Sequence, residues 1–245
     1  VHLALGITII VGGIGFPVIV SFAQFAKRVV GNWYNVLTKR DSFYHHTPRV
    51  FNINTRLTTI STAILLTIGF LTYWIFEQNN TLAGLSGYPK FVTTFFGSVT
   101  PRTAGFNTVD VTQLALPTIL IYLILMWIGA SPGSTGGGLK TTTFAVAVLN
   151  AISIAKGKDR VEVFNRQIDP ETVRKAFAVM LLSFIVIGFG VFLVLFLNPD
   201  LQILEVAFEV FSAFSTVGLS LGITAKLTTG SKLVISIIMF LGRVG

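Results

Sequence analysis

Cysteine is absent from the 245 residues, which excludes disulfide bridges and every metal site that depends on a thiolate. Charge is scarce too, because Asp, Glu, Lys and Arg together make up 11% of the chain, against roughly 25% in soluble domains. The membrane-crossing segments lack the paired carboxylates of a proton relay, and no His or Asp is placed to activate a Ser or Thr hydroxyl. These absences argue against a soluble domain and against an enzyme, and no organic cofactor is expected.

What the chain has instead is apolar sequence and clustered positive charge. Hydrophobic residues make up 52% of it and recur in runs long enough to span a bilayer. Two polar stretches between those runs each hold six bases, which are Lys27, Arg28, Lys39, Arg40, Arg49 and Arg56, and Lys156, Lys158, Arg160, Arg166, Arg174 and Lys175. Bases clustered in alternate loops follow the positive-inside rule, so both stretches are predicted to face the cytoplasm. The sequence contains no basic face with interleaved aromatic residues, which is the pattern that would indicate nucleic-acid binding.

The order of these segments predicts an all-α, multi-pass membrane protein in which one unit is repeated. Residues 1–26 are predicted to form the closing helix of an earlier repeat, and residues 27–55 a cytoplasmic linker. Residues 56–156 form one unit, residues 157–175 a second cytoplasmic linker, and residues 176–245 a second unit whose last helix is cut short. Each unit contains a crossing helix, a short apolar helix, a glycine-containing loop and another crossing helix. Self-similarity of this kind is typical of repeat architectures.

The glycine-containing loops carry the strongest functional signal. Each follows an apolar segment too short to cross a bilayer, which predicts a re-entrant hairpin. The first loop contains Thr103-Ala104-Gly105-Phe106 and the second Thr216-Val217-Gly218-Leu219, the latter similar to the start of the potassium-channel filter sequence TVGYG. Glycine tolerates backbone angles that other residues resist, so such a loop can point successive carbonyls at an ion. The alternative is two ordinary loop glycines.

A break at residues 131–140 interrupts the last apolar stretch of the first unit. Its core is Ser131-Pro132-Gly133-Ser134-Thr135-Gly136-Gly137-Gly138. Irregular backbone at membrane depth is tolerated only when it is buried in protein or lines a water-filled cavity. Because this core bears hydroxyls and no charge, it is predicted to obstruct a pore without binding a cation tightly. The alternative is a plain kink at Pro132.

Three basic residues fall in or near the apolar segments. An arginine inside a membrane helix usually faces a cavity or a partner, so Arg243 is predicted to face the pore and raise the barrier to cations. The alternative is that the helix ends there and the side chain extends to the interface. Arg102 and Lys140 are expected to hydrogen-bond nearby carbonyls or to pair with a carboxylate.

With these motifs in view, the chain resembles the potassium-translocating subunits of the Trk/Ktr/HKT superfamily, in particular the bacterial KtrB type. The resemblance rests on four segments that follow the family's order, from Thr100 to Thr108, from Gly133 to Lys140, from Phe214 to Ser220, and Leu241-Gly242-Arg243. The run with three successive glycines is the most specific of them. Together the segments extend over essentially the whole chain.

The resemblance implies four helix–pore-helix–helix repeats around one pore, each with one selectivity-filter loop. Gly105 would belong to the third filter loop and Gly218 to the fourth, so the two units would be the third and fourth repeats. Residues 131–140 would match the family's gating loop, and Arg243 its pore-blocking arginine. The resemblance also implies potassium as the transported ion, a homodimer in the bacterial plasma membrane, and regulation by a cytosolic nucleotide-binding ring. The first repeat and most of the second are expected to lie outside this sequence.

Two other functions fit parts of the sequence. A subunit with two filter loops would complete a four-loop pore by dimerising, but a simple channel of that kind does not need the glycine-rich break. A gradient-coupled secondary transporter also uses broken helices at its substrate site. Two short-helix hairpins that enter from the same side favour the channel, so passive, gated potassium uptake is the expected function.

Overall fold

In the computed structural model of the chain, residues 1–37, 52–158, 160–164 and 166–244 are described, and they are mostly helical. The α-helices are α1 (His2–Ile14), α2 (Phe16–Leu37), α3 (Ile53–Phe76), α4 (Gly87–Val99), α5 (Leu116–Trp127), α6 (Thr141–Ala155), α7 (Pro170–Leu197), α8 (Ile203–Phe214) and α9 (Thr229–Val244). The remaining elements are 3-10 turns at Thr100–Arg102, Val111–Gln113 and Thr224–Lys226, and two antiparallel strands, β1 (Glu162–Val163) and β2 (Arg166–Gln167). Lys39, Arg40 and Arg49 of the first basic stretch, and Gly245, lie outside the described residues.

Among the described residues, two helices, α3 and α7, are each long and apolar enough to cross a membrane. They contain 24 and 28 residues, more than the roughly 20 that a bilayer core requires. The apolar helices α5 and α6 are shorter than a span, and residues 128–140 separate them, where the sequence predicts a break. Helices α4 and α8, with 13 and 12 residues, are the short helices ahead of the two glycine loops. In each unit a long apolar helix is thus followed by a short helix and a glycine loop, in the expected order.

The helix expected over residues 1–26 is divided in two. Helices α1 and α2 meet in a bend of 103° at Gly15, whose φ of 90° is readily adopted only by glycine. Helix α2 then continues to Leu37, well into the stretch predicted as a linker. The bend is held by a distant residue, since Ser131 Oγ donates to the carbonyl of Gly13, 118 positions earlier. No local pattern contains that contact, which is why the sequence predicted one helix.

Helix α8 is packed on two sides by apolar clusters. One cluster lies between α5, α7, α8 and α9 and includes Leu125, Val194 and Ile238. The other joins α3, α5 and α8 through residues such as Tyr73 and Phe208, both completely buried. In a membrane such clusters stabilise the fold mainly through close van der Waals contact, because lipid is as apolar as the core. The glycine loop that follows α8 therefore starts from a firmly held helix.

A buried carboxylate fastens the end of α3 to the start of α5. Glu77 follows the last residue of α3 and is completely buried. Its two oxygens accept hydrogen bonds from Thr118 Oγ1 at 2.6 Å, and from Ala115 N, Thr81 Oγ1 and Asn80 Nδ2 at 2.9 Å each. A buried charge is tolerated only when it is well hydrogen-bonded, and these donors come from two separate segments. The network fixes the crossing helix relative to the helix that leads into the break.

Candidate functional site

The two glycine loops meet backbone to backbone, although they belong to different units. Helix α4 leads into the first loop and α8 into the second. The approach is tight at Gly105, where a Cβ atom would lie 2.1 Å from the carbonyl oxygen of Val217. The φ angles of Gly105 and Gly218 are 67° and 92°, both in the region that favours glycine. The predicted filter segments therefore come together without a side chain between them.

The threonine that begins each predicted filter motif has an unusual backbone conformation. The φ angle is 151° at Thr103 and 53° at Thr216, values that a β-branched residue rarely adopts. Each four-residue motif therefore holds two residues with positive φ, a threonine and the glycine two positions later. Such conformations cost on the order of 1–3 kcal/mol each and cluster at functional sites. The sequence indicated positive φ at the two glycines. It did not indicate positive φ at the two threonines, because β-branched residues disfavour that conformation.

Hydrogen bonds from the ends of the short helices hold both loops. Thr100 Oγ1 donates to the carbonyl of Phe106 at 2.6 Å, which closes the first loop. In the second loop, Gly218 N donates to Ser212 Oγ at 3.1 Å, and Val217 N donates to the carbonyl of Ser212 at 2.8 Å. The sequence analysis assigned neither Thr100 nor Ser212 a role in holding these loops. The available signal was a hydroxyl residue near the end of each short apolar helix.

The loop between α5 and α6, residues 128–140, lies directly against both predicted filter loops and is called the intramembrane loop below. Gly137 N donates to Thr216 Oγ1 at 3.0 Å. A Cβ atom at Gly136 would lie 2.2 Å from Thr103 Cγ2, so a side chain at this position would clash. The intramembrane loop thus contacts the threonine of each filter motif.

The intramembrane loop is also tied to helices on either side. At its start, Ser131 N donates to the carbonyl of Gly13 at 3.1 Å, next to the bend between α1 and α2. At its end, Gly138 N donates to the carbonyl of Gly242 in α9 at 3.0 Å. Residues 128–140 therefore form a loop with tertiary contacts of its own, rather than a local kink within one helix.

The three basic residues singled out in the sequence all donate to carbonyls of the intramembrane loop. Arg243 Nη1 bonds to Thr135, Lys140 Nζ to Gly136 at 2.9 Å, and Arg102 Nη2 to Gly129 at 3.4 Å. Carbonyl bonding was one of the two expectations for Arg102 and Lys140, and it is confirmed. Three positive charges thus gather at the loop, where each would repel an approaching cation.

The groups that the site offers to a cation are carbonyl and hydroxyl oxygens. Within the described part of the chain, no cluster of three or more His, Asp or Glu side chains could hold a metal ion. The oxygens found where the two loops meet include the carbonyl of Val217 and the hydroxyl of Thr216. Neutral oxygens of this kind suit an ion that must enter readily and leave again.

These features define a class, namely a helical membrane protein in which short helices and glycine loops from two units meet beside a broken helix. The chain belongs to the TrkH family of cation transport proteins, whose family model matches residues 1–245. It is 38% identical over 237 residues to the Ktr system potassium uptake protein D of Bacillus subtilis. It is 37% identical over 247 residues to the Ktr system potassium uptake protein B of the same organism. These alignments include 97% and 100% of this chain but 49% and 51% of the relatives, so the chain spans about half their length.

A solved structure has a similar fold. The crystal structure of the potassium transporter TrkH from Vibrio parahaemolyticus matches 99% of this chain and 49% of that one, with a TM-score of 0.70 and 19% identity. The all-α membrane fold and the family resemblance predicted from the sequence are therefore confirmed. The division into a third and a fourth repeat, and the roles of individual filter and gate residues, stay predictions.

Proposed function

We propose that this chain supplies the third and fourth pore repeats of a protein that takes up potassium through a gated, channel-like pore in the bacterial plasma membrane. The observation that carries the proposal is the contact between the two glycine loops, where Gly105 meets the carbonyl of Val217. The family supports cation transport, and both Bacillus subtilis relatives are named potassium uptake proteins.

The proposed filter works by replacing the water around a potassium ion with carbonyl oxygens. Positive φ at Thr103, Gly105, Thr216 and Gly218 turns the backbone repeatedly, which allows carbonyls on both loops to point toward a common path. Two loops provide two sides of such a path. The first and second repeats of the full-length protein would provide the other two.

The proposed gate is the intramembrane loop together with the basic residues bonded to it. The loop touches both filter threonines and is therefore placed to close the path next to the filter. Its hydrogen bonds to Arg243 and Lys140 add positive charge to the same barrier. A regulator that favours the open position would need only to shift the balance between two positions of the loop.

The proposed partners are a second copy of the full-length protein and a cytosolic nucleotide-binding ring. The names of the two relatives support this in part, because each is described as a protein of a Ktr system. The two basic stretches are assigned to the cytoplasm by the positive-inside rule, which places them on the side where such a ring would bind.

Ion flux through the purified full-length protein in proteoliposomes tests the proposed function. Potassium should enter passively, following its own gradient, and sodium should be largely excluded, because carbonyl cages select by their geometry and dipoles. Potassium accumulation against its gradient, driven by sodium or protons, would instead identify a secondary transporter. Empty liposomes and liposomes with heat-denatured protein provide the controls.

Removing the charge of Arg243 should increase the flux. A guanidinium beside the ion path repels cations strongly in a low-dielectric setting, so Arg243→Ala should raise maximal potassium flux roughly fivefold or more. The ratio of potassium to sodium permeability should stay unchanged, because the filter lies elsewhere. Stopped-flow flux assays in proteoliposomes measure both quantities.

The matched control for this variant is Lys232→Ala, which removes one positive charge from the opposite end of the same helix, α9. Its flux should equal that of the wild type. If Arg243→Ala folds and its flux is equal to or below wild type, Arg243 does not face the ion path.

A further inference from the structure

An open cavity of about 600 Å³ lies between the end of α6, the β1–β2 hairpin and the start of α7. Its polar lining consists of Arg160, Arg174, Asn150 and Gln167, and Val161 and Ile168 contribute apolar walls. The cavity belongs to the second basic stretch, on the side assigned to the cytoplasm. It is remote from the glycine loops, and the proposed transport pathway makes no use of it.

Hydrogen bonds and helical structure hold the backbone that carries the two arginines. Ser153 Oγ, at the end of α6, donates to the carbonyl of Arg160 at 2.8 Å. Ile168 N donates to the carbonyl of Val161 at 2.9 Å, which closes the hairpin onto the same segment. Arg174 lies on α7, one turn after its first residue, Pro170. The two arginines therefore line one cavity from separate elements of the fold.

The cavity has a net positive lining. No carboxylate is among the described residues that line it. Two acidic groups at the start of α7 have other partners, because Asp169 Oδ1 accepts a hydrogen bond from Glu171 N at 3.2 Å, and Glu171 pairs with Lys175 at 2.7 Å. Within the described residues, neither Arg160 nor Arg174 forms an ion pair. Two arginines near one cavity, with the positive end of a helix beside them, favour an anion.

The position of the cavity along α7 indicates which anion it would meet. Exposed apolar side chains begin with Phe177 and Val179, directly after Arg174, and continue along the helix. The cavity therefore lies at the boundary between the basic stretch and the apolar surface of a crossing helix. Lipid phosphates lie at that depth, and basic pockets beside membrane helices on the cytoplasmic side bind anionic headgroups.

We propose that Arg160 and Arg174 form a binding site for a phosphate group, and that the headgroup of an anionic lipid is its natural source. Guanidinium binds phosphate through two parallel hydrogen bonds, and Asn150 and Gln167 add neutral donors to the same cavity. A volume of about 600 Å³ holds a phosphodiester headgroup with its glycerol, and exceeds what inorganic phosphate alone would fill. The lipid tails would then lie along the exposed apolar face of α7.

Lipid binding to the purified full-length protein tests this site. Native mass spectrometry after titration with phosphatidylglycerol should show saturable binding that the double variant Arg160→Gln/Arg174→Gln weakens about tenfold, as expected for losing charge-assisted hydrogen bonds. Arg174→Gln alone should lose part of the affinity. Phosphatidylcholine should bind more weakly than phosphatidylglycerol to the wild type, and inorganic phosphate should compete only at much higher concentration.

The matched control is Lys158→Gln/Arg166→Gln, which removes the same charge from the same stretch at residues that do not line the cavity. It should weaken phosphatidylglycerol binding much less than the cavity variant does, since neither side chain lines the cavity. An equal loss in the two double variants would overturn the proposal in favour of non-specific surface charge. Full competition by dilute inorganic phosphate would support the phosphate site but assign it to free anions. Both arginines are solvent-exposed, and unfolding temperature verifies that each variant folds.

Discussion

Deleting residues 133–138 from the full-length protein should produce a potassium flux that is high and no longer responds to the cytosolic regulator. The deletion removes the segment that hydrogen-bonds to Thr216 and Gly242, and it leaves Arg243 without its carbonyl partner on Thr135. Lowering the conduction barrier by about 1.4 kcal/mol raises flux tenfold, so an increase of at least about tenfold is expected. Potassium flux into proteoliposomes, with and without the regulator, measures it.

Selectivity provides the internal control for this deletion. Gly105 and Gly218 lie outside the deleted segment, so preference for potassium over sodium should be retained. A general leak caused by misfolding would admit both ions equally. If the shortened protein inserts correctly, remains monodisperse and keeps wild-type flux and regulation, the intramembrane loop is not the barrier.

Replacing Gly105 with alanine should damage selectivity far more than the same change at Gly218. At Gly105 the new Cβ atom would lie 2.1 Å from the carbonyl oxygen of Val217, so both loops must move apart. At Gly218 no atom lies within 4 Å, and the cost is confined to the φ angle of 92°, roughly 1–2 kcal/mol for alanine. Gly218→Ala should therefore weaken apparent potassium affinity up to about tenfold, whereas Gly105→Ala should largely abolish discrimination against sodium.

A glycine far from the loops offers the matched control. Gly188 lies within α7 with no atom within 4 Å of its Cβ position, and alanine is a better helix former than glycine. Gly188→Ala should therefore keep wild-type affinity and selectivity. The half-saturating potassium concentration and the sodium permeation should be measured for all three variants. These two quantities show which substitution damages affinity and selectivity most. Equal and small effects at Gly105 and Gly218 would rule out the two loops as a filter.

The sequence predicted the parts of this protein that depend on local pattern. Short apolar segments ahead of glycine loops correctly indicated α4 and α8, and the proline and glycines after α5 correctly indicated a break. Local pattern suffices here because helix length and helix-breaking residues are properties of a few neighbouring positions. The motifs also identified the family, which the comparison with known proteins confirms.

Features that depend on distant contacts were not predictable in the same way. The bend at Gly15 needs Ser131, and the anchoring of the second loop needs the particular side of α8 that carries Ser212. The φ of 53° at Thr216 is rare for a β-branched residue, so the presence of a threonine at this position does not predict it. The candidate filter and gate could be named from sequence, but their mutual contacts could not.

The hydrogen bonds of Glu77 have a consequence for how the protein is made. During synthesis the end of α3 emerges well before α5, because Thr118 follows Glu77 by 41 positions. Until that segment arrives, the carboxylate lacks two of its donors, Ala115 N and Thr118 Oγ1, and must stay in contact with water. Helix α3 is therefore expected to reach its final packing only after the start of α5 has been inserted. The outer half of this unit is expected to mature in one step, only after α4, its glycine loop and the start of α5 have all been inserted.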